Sequence, residues 1–300
     1  VPRSSAPASV TVWCTHALRA GDGDGDGWLT PEEAARASSF RREEDRRRFT
    51  TGRALVRAVV GERRGIAPRE VDVRVGARDG VRPGKPFVGG GPPFSVAHAD
   101  RWVLVAVLDD GPVEGSGAEP GPGGRGRTGP GGRAGDGPGG RAGTGPGVQV
   151  GVDVESLAPA RDHLTDLVEA VPPQERPAGG WTAASFTRTW VRREAVLKAV
   201  GTGLLAPRDD LVLAPADDEA RVVHSGGALP GVDRLAVRDL PLPADGPGPA
   251  CFAAVAVCAP PRSRAGAGPE PGGLAATGPG LAAVLADGHD LLARHGLVPG

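Results

Sequence analysis

The stretch that decides how this chain is read is GVDVES, residues 151 to 156, the end of the run VQVGVDVES at 148 to 156. Its β-branched residues and period-two alternation predict a strand. Side chains at i and i+2 of a strand point to the same face, so Asp153 and Glu155 share one. Two carboxylates about 5–7 Å apart on a partly buried face repel, by a few kcal/mol at an effective dielectric of about 20. A bound cation removes that cost, and oxygen ligands select a hard ion, magnesium before calcium. Alone, the pair reads more simply as a solvated strand face with two ordinary acids.

Downstream, SFTRTWVRREAVLKAVGTGL at 185 to 204 predicts a strong helix ending at a glycine. Phe186, Trp190, Glu194 and Lys198 are spaced by four, which places them on one stripe. The stripe begins aromatic and ends as a carboxylate and an ammonium. A Glu–Lys pair that continues an apolar stripe is better explained by a site than by an open surface. Upstream, GKPF at 84 to 87 sets Lys85 between a glycine and Pro86, on a rigid turn. FSVAHADRW at 94 to 102 sets Ser95 and His98 in a loop before a buried strand, Trp102 to Leu108. Each of these last two, taken singly, reads as a turn lysine and a structural histidine.

In order along the chain the pieces are GKP, F-S-x-A-H, G-V-D-V-E and W-x-x-R-E-A-x-x-K. This order resembles the 4′-phosphopantetheinyl transferases of the Sfp type, over about residues 10 to 110 and 148 to 260. The resemblance implies an α+β fold of two similar halves related by a pseudo-twofold, with the active site in the cleft between them. It implies transfer of the phosphopantetheine of coenzyme A to a serine of an apo acyl or peptidyl carrier protein, releasing adenosine 3′,5′-bisphosphate. The carrier proteins would be those of polyketide, nonribosomal peptide or fatty acid synthases. By motif position, Asp153, Glu155 and Glu194 would hold Mg2+, with Mn2+ as the alternative ion. Glu194 would also serve as base, and Lys198 would bind the diphosphate. Arg48, Lys85, Pro86, Ser95 and His98 would hold the coenzyme A nucleotide, and Glu175 matches a further acid near the metal. Two positions depart from the family pattern: Ala97 stands where a serine is usual before the histidine, and Arg193 where a lysine precedes the metal-binding glutamate.

Composition sets the frame around these motifs. Glycine (49) and proline (31) make up more than a quarter of the 300 residues, so the folded part is shorter than the chain. A net charge of −1 supplies no global field for nucleic acid or an anionic membrane. Cys14, Cys251 and Cys258 have no metal-ligand or CxxC spacing, which suits reduced thiols. With no apolar run long enough to span a bilayer and no clean signal-peptide pattern, the expectation is a cytoplasmic protein, and the resemblance further implies a monomer. The organisation expected is a coenzyme A-binding half at 1–110, a disordered Gly/Pro/Arg insertion at 111–147, a metal and catalytic half at 148–262, and a Gly/Pro-rich tail at 263–300. The insertion holds a degenerate octapeptide repeat at 121–147 with no apolar side chain larger than alanine. In the tail, LAAVLADGHDLLARHGL reads as an amphipathic helix interrupted by Gly288.

One motif competes. DGDGDGWLTPEE at 22 to 33 places Asp22, Asp24 and Asp26 at positions 1, 3 and 5 of an EF-hand loop, Gly27 at 6 and Glu33 at 12. The exit helix is present in the sequence, with Thr30 as N-cap, Pro31 at N1 and Glu33 completing a capping box. The entry side is β-rich and there is no second such loop. The rival readings are therefore a calcium-binding module and a non-catalytic relative that binds coenzyme A or a carrier protein.

Overall fold

The computed structural model describes residues 7–19, 25–75, 85–109, 147–243, 250–261 and 280–298. Asp22, Asp24 and nearly all of the 121–147 repeat lie outside these residues. In chain order the elements are strand β1 (Ala8–His16), helices α1 (Pro31–Ser38) and α2 (Glu43–Arg64), and strands β2 (Val73–Val75), β3 (Pro86–Val88), β4 (Phe94–Ala99) and β5 (Trp102–Leu108). Strand β6 (Gln149–Ser156), helices α3 (Leu157–Leu167) and α4 (Ala183–Val200), and strands β7 (Leu211–Leu213), β8 (Val222–Ser225), β9 (Leu235–Leu240) and β10 (Cys251–Cys258) come next. Strand β11 (Leu281–Asp287) and helix α5 (Gly288–Arg294) close the chain's described part. The fold is a mixed α+β one. Among the described residues no helix is long and apolar enough to cross a membrane.

Two sheets organise the molecule. One has the order β11-β1-β5-β4, the other β6-β10-β9; only the β1–β11 pairing is parallel. Alternation along β1, β5 and β6 sends Val10, Val12, Leu104, Val150, Val152 and Val154 into a shared core between the sheets. The opposite face of the first sheet carries α2, through Leu55, Val59, Val105 and Val107. The opposite face of the second carries α4, through Val191, Ala195, Ala254 and Ala256.

Local signals start and stop these elements as the sequence leads one to expect. The Thr30 side chain accepts from Glu33 N–H while the Glu33 carboxylate accepts from Thr30 N–H, a complete capping box. Helix α4 starts at a Thr182–Ser185 box and stops at Gly201, whose φ of 84° is the left-handed cap that favours glycine.

Two readings are corrected. Residues 94–99 are a strand rather than a loop. They pair with β5 through a tight turn at Asp100, and Phe94, Ser95 and Ala97 are buried. The stretch after 280 is not an interrupted helix. Leu281 to Asp287 forms β11 alongside the open edge of β1, and the helical part begins only at Gly288. Helix periodicity in LAAVL was overridden by an edge strand, β1, that needed a partner. A segment assigned to a tail thereby completes the first sheet.

Gly151 determines how closely α4 lies on β6. A Cβ there would sit 2.0 Å from the Ala195 carbonyl oxygen and 2.4 Å from the Ala199 nitrogen. Both are backbone atoms, so the helix would have to move. Gly151→Ala is expected to destabilise the protein by at least about 2 kcal/mol in denaturant titration. Gly52→Ala is the control: its Cβ would meet Val96 at an ordinary 3.4 Å, and a change within about 1 kcal/mol is expected.

Candidate active site

Residues Gly151, Asp153 and Glu155 alternate with the buried valines of β6 and so face α4 rather than the core between the sheets. The close helix brings Glu194 and Lys198 against them. Lys198 Nζ donates to Asp153 Oδ1 at 2.6 Å. Asp153 is almost completely buried, and its second oxygen, Oδ2, has no hydrogen-bond partner. Burial pushes the Asp153 carboxyl above its usual range, against the pull of Lys198. Glu155 is pushed up to about 7, by burial first and then by the charges of Asp153 and Glu194. Three carboxylates therefore act on one another across a strand and a helix, with one ammonium among them. Further along the same stripe Phe186 and Trp190 stack, 5.9 Å between ring centres, and join a small cluster with Ala160 and Val171.

The donor set suits a hard divalent cation: oxygen ligands only, mutual repulsion, and a buried carboxylate oxygen without a donor. Among the described residues no three acidic, histidine or cysteine side chains are gathered closely enough to hold a metal as they stand. Lys198 is the cation on Asp153 in this arrangement.

A second group lies beside α2. Arg48, Arg53, Pro86 and His98, with Phe49 and Val96, line one pocket between α2, β3 and β4. Arg48 donates to Asp45 Oδ1 and to the Asp100 carbonyl oxygen, each at 2.5 Å. The surrounding protein, then Arg48 and Lys198, hold the His98 imidazole below its usual pKa. The charge of Lys198 acts on both His98 and Asp153. Asp153, Glu155, Glu194 and Lys198 gather between β6 and α4, while Arg48, Pro86 and His98 line the pocket.

Lys85 and Ser95 are placed differently. Lys85 Nζ donates to the carbonyl oxygens of Val150 at 3.2 Å and of Lys198 at 3.0 Å. Burial, then the charge of Lys198, brings its pKa down to about 8. The Ser95 hydroxyl is buried and accepts from Val152 N–H at 3.1 Å. Both side chains tie the segment from Lys85 to β4 onto β6 and α4, and neither lines the pocket. Glu175 is also structural: it accepts from Arg193 at 2.5 Å and from Leu213 N–H at 2.9 Å, with no exposed surface. Burial, opposed by Arg193, raises Glu175 to about 7. Arg193, one of the chain's two departures from the family pattern, donates further to Leu211 and Arg208 carbonyl oxygens. It serves the fold behind α4, with its neighbour Glu194 on the site side. Ala97, the other departure, packs in the core between the sheets with Trp102 and Leu104. The pocket-lining neighbours on β4, Val96 and His98, alternate with it, so the departure there does not remove a group from the pocket wall.

The EF-hand reading loses its last ligand. Glu33 carries the capping box and ion pairs to Arg57 at 2.7 Å and Arg53 at 3.2 Å. The element before the loop is β1, not a helix. Arg53 itself was not among the candidates. Phe49, Arg53 and Arg57 recur every four residues on α2, the same kind of stripe that exposed Glu194 and Lys198, and that signal was available in the sequence.

Known proteins share the part of the chain that builds this geometry. Residues 149–232 match the family model of the 4′-phosphopantetheinyl transferase superfamily. The match contains Asp153, Glu155, Glu194 and Lys198 and ends short of β9. A 4′-phosphopantetheinyl transferase from Nostoc sp., HetI, is 24% identical over 201 residues, covering 63% of this chain and 67% of that protein. A phosphopantetheinyl transferase from Thraustochytrium sp. is 31% identical over 108 residues, covering 33% of this chain and 36% of that protein. The matched segment holds two of the four short motifs, G-V-D-V-E and W-x-x-R-E-A-x-x-K.

Two outcomes are expected. The folded-state pKa of Glu155 lies above its unfolded value, so the folded state retains a proton that the unfolded chain has released. Metal-free stability should fall as pH rises from about 4.5 to about 7, with Glu175 contributing in the same window. Glu155→Gln should remove on the order of 1–2 kcal/mol of that fall, after solvent screening, in melts recorded with EDTA. Lys85→Met should cost about 1–3 kcal/mol in denaturant titration, because it strips a donor from the carbonyls of Val150 and Lys198.

Proposed function

We propose a reaction for a chain that carries the 4′-phosphopantetheinyl transferase superfamily segment and is, by that kinship, a transferase enzyme. It transfers the 4′-phosphopantetheine group of coenzyme A to a serine of an apo carrier protein and releases adenosine 3′,5′-bisphosphate. The observation that carries this reading is the meeting of Asp153, Glu155, Glu194 and Lys198 beside His98 and Arg48, one group from each half. We further propose that the halves, 1–110 and 148–262, are related by a pseudo-twofold, with coenzyme A in the cleft between them. Residues 111–147 are then an insertion, the three free thiols suit a cytoplasmic protein, and the kinship suits a monomer.

Asp153, Glu155 and Glu194 are the residues that would hold magnesium, or manganese in its place. When bound, the ion supplies neutralisation of the charge that builds on the coenzyme A diphosphate as the phosphoanhydride breaks. Lys198 has a mobile point charge one helical turn from Glu194. It is positioned to leave Asp153 Oδ1 for a diphosphate oxygen and to steady the leaving group. Glu194 accepts the proton of the incoming serine hydroxyl, directly or through water. Arg48 and His98 hold the nucleotide end; the arginine fork matches a phosphate, and a histidine kept neutral donates without adding a second full charge. The acceptors are carrier proteins of polyketide, nonribosomal peptide or fatty acid synthases.

Intact-mass analysis of an apo carrier protein incubated with this protein, coenzyme A and magnesium tests the reading. A gain of one phosphopantetheine is expected, abolished by EDTA and reduced at least about 10²-fold in Glu194→Gln and Asp153→Ala. Full activity in Asp153→Ala would remove the metal assignment. Absence of product across several carriers, with nucleotide binding intact, would leave a coenzyme A-binding relative without turnover.

A further inference from the structure

Lys198 is tied to the site at one point. Its ammonium carries three donors and, among the described residues, places one of them, on Asp153 Oδ1 at 2.6 Å. The two members of this pair differ in burial: 31% of the Lys198 side chain is exposed, against 5% of Asp153. Asp153 Oδ2 is buried without a donor. Among the described residues Lys198 is the cation that acts on Asp153 and on Glu155, whose charged form is opposed by burial, Asp153 and Glu194.

Arg193, on the same helix, is a cation fastened in place. Its guanidinium donates to Glu175 and to the carbonyl oxygens of Leu211 and Arg208, and it is buried. Lys198 has no such set of ties. It has a flexible stem that reaches solvent and a compact charge that an anion can draw away. Two demands then meet on Asp153 Oδ1. A carboxylate this deeply buried cannot give up its ammonium unless another cation replaces it, because an unpaired buried charge is strongly destabilising. A divalent ion on the same oxygen repels the ammonium, so Lys198 must swing outward and needs an anion there. The diphosphate of coenzyme A supplies one.

We infer that Lys198 competes with the divalent cation for Asp153, and that this competition makes uptake of the cation and of a diphosphate mutually dependent. The inference rests on the reading that Asp153, Glu155 and Glu194 hold the ion. It gives Lys198 a second action beside the one on the leaving group. Before the nucleotide arrives, the ammonium holds cation affinity down; once a diphosphate takes the ammonium, Asp153 is released to the cation. By linkage, the factor that the diphosphate adds to cation affinity equals the factor that the cation adds to diphosphate affinity.

The test is calorimetric titration of the full-length chain with Mn2+ alone, repeated with coenzyme A present. Lys198→Met removes the charge and keeps a stem of similar length. It should bind Mn2+ alone at least about tenfold more tightly than the wild type does. The gain in Mn2+ affinity that coenzyme A brings should be smaller in Lys198→Met than in the wild type. Lys198→Arg, which keeps a cation on Asp153, should bind Mn2+ alone as weakly as the wild type. Lys198→Gln, whose amide can still donate to Asp153, carries the same loss of charge if Lys198→Met does not fold, and should also gain Mn2+ affinity. Mn2+ affinity that is unchanged or lower in the folded neutral variant would make Lys198 a partner of the diphosphate only and overturn the inference alone. Failure of the wild type and both neutral variants to bind Mn2+, with or without coenzyme A, would overturn the metal reading and this inference with it.

Discussion

The contact of α4 with β6 is the constraint on which the rest of the structure depends. A helix normally rides about 10 Å above a sheet on interlocking side chains. Here Gly151 has no side chain to interpose, and Ala254 and Ala256 on the neighbouring strand are small. The helix backbone comes down onto the strand at Ala195 and Ala199. Only with that approach do the short carboxylates of β6 and the side chains of α4 lie within ion-pairing distance. Lys198 meets Asp153 for this reason, and the Lys198 carbonyl falls within reach of Lys85.

Charge in this molecule gathers around β6, α4 and α2. Lys85 and Ser95 bind backbone groups of β6 and α4. Their partners are uncharged, so they make these contacts without neutralising the charged groups beyond them. The carboxylates of β6 and α4 on one side, and the guanidiniums of α2 on the other, remain incompletely compensated. The buried Glu175–Arg193 pair contrasts with this: hydrogen-bonded to carbonyls and an N–H on several sides, it fastens α4 to β7.

Legibility in the sequence tracked the range of the interaction. The same-face placement of Asp153 and Glu155, the stripe from Phe186 to Lys198 and the Thr30 capping box each depend on spacing within one element, and each was readable. The destinations of Lys85 and Ser95 were not, because their partners lie 57 to 113 residues away in the chain. Residues 281–287 show the same limit. Their alanine-rich pattern is compatible with a helix, and an open strand edge more than 250 residues upstream made them a strand. Arg53 falls on a four-residue spacing with Phe49 and Arg57, a pattern masked in the sequence by the dense charge of RREEDRRR.

The sequence by itself determined the chemistry available: which strand would carry two carboxylates on one face, which helix would carry a glutamate and a lysine, and where each would begin and end. These depend on backbone periodicity and on caps, which are local. The tertiary structure alone decided which charges are neighbours. It matched Lys198 to Asp153, set two arginines against one Glu33, and turned Lys85 inward to the seam. Burial and Coulomb energies depend on distances across the fold, and no spacing along a chain encodes them.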